Sequence, residues 1–160
     1  LTLFLSPSTA IGAAPKGVPP HPISWPIPFG EVITMEKENL EIEPITLEWT
    51  DWVWWDKVKN DTRNRDLEIP KEPGVYEVKG DNAEKRLTIG RTTSLRRRIR
   101  HGLVIGTGRH SAGKRIRDSE NTAKLLIRWA VTRRPAAAEE ELHRRHEKRF
   151  GGLPEYVKHT

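Results

Sequence analysis

Hydrophobic positions in this 160-residue chain are scattered among prolines and acids up to about residue 70, and recur at regular periods beyond it. Gly74-Val75-Tyr76-Glu77-Val78-Lys79 reads as a strand, Gly80–Glu84 as turn chemistry, and Lys85-Arg86-Leu87-Thr88-Ile89-Gly90 as a second strand. Thr92 or Thr93 is placed to cap a helix whose apolar stripe is Leu95, Ile99 and Leu103. A basic stretch with Gly102, Gly106, Gly108 and Gly113 leads into a short helix near residues 114–117. Leu125, Ile127, Trp129 and Val131 alternate as a third strand. Pro135 then opens a helix that runs to about Phe150 and stops at Gly151. This order predicts an α+β fold: a small three-stranded, mainly antiparallel sheet flanked by helices.

The first 70 residues follow other rules. Residues 7–28 hold seven of the twelve prolines, so 1–30 is expected to be a flexible lead-in. Residues 31–70 form an acidic extension. Within it Ile45, Leu47 and Trp49 alternate like a half-exposed strand, while Trp49, Trp52, Trp54 and Trp55 fit neither period. Glu48, Asp51 and Asp56 surround these tryptophans and would repel phosphate, so packing on the domain at 71–160 is favoured over base stacking.

Charge divides the chain at nearly the same place. Residues 1–85 hold 9 Lys and Arg against 15 Asp and Glu; residues 86–149 hold 18 against 6, a local balance of +12. Such a block is the electrostatic footprint of a polyphosphate partner. The absence of cysteine excludes disulfide scaffolds, thiolate metal sites and cysteine nucleophiles. No apolar run approaches the roughly 20 residues of a membrane span, and the opening Leu1–Leu5 is too short for a signal-peptide core. A cytoplasmic protein without a membrane partner is the expectation.

Chemistry gathers on the predicted hairpin and helices. A hairpin centred on Asn82 would set Tyr76 opposite Thr88 on one face of the sheet. Arg98, three residues after Leu95, and Glu139, three before Leu142, each flank a buried stripe and lean toward the sheet. A phenol, a guanidinium and a carboxylate converging there suit phosphodiester hydrolysis, with the carboxylate able to hold Mg²⁺. Two weaker patterns compete. Gly108–Lys114 imitates a nucleotide-binding loop, but Arg115 stands where a Ser or Thr should hold the ion. Glu139, His143 and His146 share a spacing that suits a transition metal, although solvated histidines are the plainer reading.

These residues resemble the GIY-YIG nuclease superfamily. Its first motif stands as Gly74-Val75-Tyr76 and its second as Thr88-Ile89-Gly90, followed by Arg91 and by the helix Ser94-Leu95-Arg96-Arg97-Arg98-Ile99. Ala138-Glu139-Glu140-Glu141-Leu142 matches the metal-binding segment, and Phe150–Tyr156 the closing one. The resemblance covers about 74–157. It implies a metal-dependent DNA endonuclease in which Tyr76 is the general base, Arg98 clamps the scissile phosphate, and Glu139 is the protein ligand of Mg²⁺ or Mn²⁺. Thr88 joins them as a catalytic residue. Arg91, Arg97, His101, His110, Lys114 and Arg115 are implied to contact the backbone of duplex DNA. Thr88 replaces the second-motif tyrosine, Gly102 stands where the helix often carries Tyr or His, and Val157 replaces the closing asparagine. A binding module that keeps this fold without catalysis, or a structural partner of a DNA-processing complex, is the alternative.

Overall fold

The computed structural model describes Gly17 and residues 42–157. The Pro-rich segment, apart from Gly17, and residues 31–41 of the acidic extension lie outside the described residues. The elements below belong to one compact unit, Glu41–Thr160.

The predicted hairpin forms as β2 (Gly74–Gly80) and β3 (Arg86–Thr92), and the third predicted strand as β4 (Leu125–Val131). The sheet nevertheless has four strands, not the three expected. Val53–Trp54 is a further strand, β1, antiparallel to β4 through Val53↔Ile127 and Trp54↔Leu126, which gives the order β1-β4-β2-β3. Two residues carry no readable alternation; partners distant in sequence make them a strand. Their pairing continues a neighbouring contact, in which Thr50 donates its amide to the Trp129 carbonyl at 3.0 Å and accepts from the Trp129 amide through Oγ1 at 3.2 Å.

The hairpin register also differs. Tyr76 opposes Gly90, and Thr88 opposes Val78. The register shifts between Val78 and Lys79, so the turn is not centred where a regular hairpin would place it. A slip of two keeps each side chain on its face while changing its neighbour. For Tyr76 the new neighbour matters, because a Cβ at position 90 would overlap the phenol oxygen.

Helices cover both faces. Tyr76, Val78, Ile127 and Trp129 pack with Trp55 and Val58 of α1 (Trp55–Asn60) and with Leu95, Ile99 and Leu103. That stripe is wholly buried as predicted, but Arg97–Ile105 is wound as a π-helix, closed by Gly106 at φ 87°. The amides of Leu95 and Arg96 are satisfied by the carbonyls of Glu72 and Pro70. Next comes α2 (Ser111–Ser119), longer than expected, with His110 as its N-cap. On the other face Val75 and Ala130 meet Ala138 and Leu142 of α3 (Pro135–Phe150), together with Ile45, Leu47 and Trp49. Pro135 opens α3 and Gly151, at φ 78°, ends it.

Ile45, Leu47 and Trp49 are alternately half-buried along extended chain that pairs with no strand. Trp55 is 1% exposed, whereas Trp54 is 45% exposed. Trp49 and Trp52 lie 4.3 and 4.5 Å from the Arg128 guanidinium, whose nitrogens also hold the buried Glu77 carboxylate. Arg86 approaches the same carboxylate at 2.9 Å. These two indoles therefore stack on arginines of their own chain. Among the described residues no helix is long and apolar enough to cross a membrane.

Candidate functional site

Strand β3 is one of the two edge strands of the sheet, and a cavity of about 500 Å³ lies along it. Tyr76 and Thr88 reach this cleft from the face that carries the π-helix. Arg91 lies across from Val75, on the face that carries α3. Arg98 and Ser111 line one side, and Glu139 and His143 the other. Tyr156 and Val157 of the closing segment complete the lining. The expected set of Tyr76, Arg98, Glu139 and Thr88 thus comes together, with Arg91, around a strand edge rather than on one face of the sheet.

Each group has its own electrostatic state. Tyr76 is 3% exposed, and burial pushes its phenol well above the usual value near 10. Arg98 partly offsets that shift and Glu139 adds to it. Tyr76 is therefore a neutral phenol at physiological pH. Its oxygen lies 2.7 Å from Nε2 of His110. Burial, then the charges of Arg98 and Arg117, hold His110 down to about 4, so its ring is neutral as well. Arg98 forms no ion pair among the described residues. Arg91, by contrast, holds Glu139 at 3.1 Å.

The other expected backbone contacts spread outward. Arg97 and His101 line an adjoining 240 Å³ hollow with Arg109, and Arg98 borders both spaces. Lys114 is exposed and pairs with Asp118 at 2.5 Å. Arg115 lies 5.0 Å from the Tyr156 ring. His110, expected to face the backbone, instead contacts Tyr76. Two titratable side chains that line the cleft, His143 and Tyr156, were not among the expected site residues. His143 follows Glu139 by one helical turn and lies 3.2 Å, through Nε2, from the Ile89 carbonyl. Tyr156 donates its hydroxyl to Glu120 at 2.6 Å, a bond that, with burial, raises its phenol to about 12. The turn spacing from Glu139 was a usable signal for His143, and Tyr156 ends the closing segment Phe150–Tyr156 without a role of its own having been assigned to it.

The expectation of Mg²⁺ or Mn²⁺ is corrected. Among the described residues no three His, Cys, Asp or Glu side chains group as metal ligands. Among the described residues Glu139 is the one carboxylate lining the cleft, and Arg91 pairs with it. Nor do Glu139, His143 and His146 form a transition-metal site. His146 is buried with Nδ1 2.7 Å from the Gly152 carbonyl and with Nε2 accepting from the Arg86 amide at 3.2 Å. Both ring nitrogens are thereby used.

No family model matches the chain, and no curated protein matches it. Among solved structures it is similar to the GIY-YIG N-terminal endonuclease domain of UvrC from Thermotoga maritima. A point mutant of that domain, bound to its catalytic divalent cation, shares 24% identity over 63% of this chain and 99% of its own, with a TM-score of 0.40. The magnesium-bound form shares 23% identity over 62% and 99%, with the same TM-score.

Proposed function

We propose that the cleft around β3 takes a phosphodiester of duplex DNA and hydrolyses it, making the chain a DNA endonuclease. One observation carries this reading: among the described residues Arg98 is a guanidinium with no carboxylate of its own, and it meets a buried neutral phenol and a single carboxylate in one cavity. Arg98 holds the phosphate through charge-assisted hydrogen bonds. Arg91 joins it by exchanging Glu139 for a phosphate oxygen; the released carboxylate takes a proton from the water whose oxygen bonds to phosphorus, the P–O bond to one sugar oxygen breaks, and that leaving oxygen takes a proton from solvent. Beyond the cleft, Arg97, His101 and Arg109 border the adjoining hollow where the backbone would continue. The +12 block supplies the long-range attraction.

Single-turnover nicking of supercoiled plasmid, run with and without EDTA beside a DNA-binding assay, tests this. Arg98→Ala is expected to weaken binding and cleavage together. Glu139→Gln is expected to retain binding and to cut roughly 10²- to 10⁴-fold more slowly, the range for losing a general base. Binding without cleavage by the wild type would select the second reading, a nucleic-acid-binding module without hydrolysis. That reading is favoured by Thr88 in place of a phenol and by the Arg91–Glu139 pair.

A further inference from the structure

Tyr76 is held by a residue from a distant part of the chain, and the geometry decides which atom carries each proton. His110 is the N-cap of α2, and its Nδ1 accepts the Gly113 amide proton at 2.8 Å. A ring nitrogen that accepts carries no hydrogen. In a neutral imidazole the proton is then on Nε2, the atom 2.7 Å from the Tyr76 oxygen. His110 therefore donates to the phenol, and the phenol's own proton is directed elsewhere. No other described group hydrogen-bonds that oxygen, so a buried O–H donor beside the cleft lacks an acceptor.

Two glycines create the seat. A Cβ at Gly102 would stand 3.2 Å from Cδ2 of His110. At Gly113 a Cβ would stand 2.9 Å from Cα of Leu103, inside the distance real side chains keep. With both side chains absent, the start of α2 rests on the π-helix, and the imidazole fills the space over Gly102. Arg117 secures this packing by donating to the carbonyls of Gly102 and Leu103.

We propose that His110 is a positioning residue: locked in its Nε2–H form by the Gly113 amide, it turns the Tyr76 phenol into a hydrogen-bond donor aimed at a phosphate oxygen in the cleft. The phosphate part rests on the nucleic-acid reading above; the tautomer does not. Tyr76 then stabilises charge on the phosphate instead of taking a proton from water.

Long-range ¹⁵N–¹H correlation spectra of the free protein give the tautomer directly. The expected result is a His110 ring protonated at Nε2, whose proton exchanges faster in Tyr76→Phe. An Nδ1–H ring overturns the proposal. DNA affinity then tests the donor. Tyr76→Phe and His110→Ala should each weaken binding by about tenfold or more, as expected for a hydrogen bond to a charged group. The double variant should be no weaker than either single one, and His110→Gln, which keeps an N–H donor, should recover most of the loss. Additive losses, equal failure of Gln and Ala, or no loss in Tyr76→Phe would overturn the positioning role. If the wild type binds no DNA, the nucleic-acid reading falls, and the tautomer and exchange data alone decide the His110–Tyr76 pair.

Discussion

The molecule handles charge in two opposite ways on either side of strand β2. At Glu77 the carboxylate is 3% exposed, two arginines close on it, and Trp49 and Trp52 cover Arg128. Every charge there is spent on the fold. At Tyr76, one residue earlier and on the opposite face, Arg98 has no carboxylate partner among the described residues, and the phenol oxygen meets only the His110 ring there. Saturated arginines hold a structure together, whereas an unsaturated one beside a cavity is open to an anion from outside. The basic count of the chain cannot distinguish the two; pairing does.

The comparison breaks most visibly at Glu77. Glu77→Ala strands two arginines against buried surface and should cost about 3–5 kcal/mol, the range for removing one partner of a buried pair. Chemical denaturation checks this, and a loss under 1 kcal/mol would show that the cluster is not structural. Arg98→Ala should do the reverse. Its melting temperature should stay near wild type, while DNA affinity falls about 10- to 100-fold and the salt slope drops by about one phosphate contact. Equal damage to stability and affinity would mean that Arg98, too, is spent on the fold.

Gly90→Ala sharpens the contrast without touching a charge. The added methyl overlaps the Tyr76 hydroxyl, so the phenol must leave His110. Overpacking of this kind costs about 1–3 kcal/mol, and the His110 Nε2 proton should lose its protection from exchange. A variant with unchanged stability and unchanged exchange would contradict the close Tyr76–Gly90 approach.

A further effect is expected on pH dependence. Folded His110 sits near 4, with Tyr76, Arg98 and Arg117 around it, against about 6.5 in an unfolded chain. Between those values the unfolded state takes up a proton that the native state refuses. The stability contribution is thus present above 6.5 and lost as pH falls toward 4. His110→Gln should flatten that part of the melting-temperature curve. His146, which is also shifted down, keeps some slope in both proteins. Identical curves would remove His110 as a source of the slope.

Local patterns were enough for much of this architecture. The stripe of Leu95, Ile99 and Leu103, the alternation through Leu125–Val131, and the Pro135 and Gly151 limits of α3 are short-range signals that match the period of one element. The candidate residues Arg98 and Glu139 were readable for the same reason, since each has a fixed offset from an apolar stripe, whereas Tyr76 was read from its place in a strand. What needed the folded chain was set by contacts between distant segments. Val53–Trp54 is a strand because β4 is beside it. Gly90, not Thr88, lies opposite Tyr76 because the hairpin shifts register near its turn. His110 reaches the phenol across 34 positions because Gly102 and Gly113 leave room for its ring. Glu139 is an arginine's partner, not a metal's, because Arg91 projects toward α3 on an edge strand. Periodicity encodes which side of an element is buried; which groups then meet, and which charges remain unpaired, depends on how the elements pack.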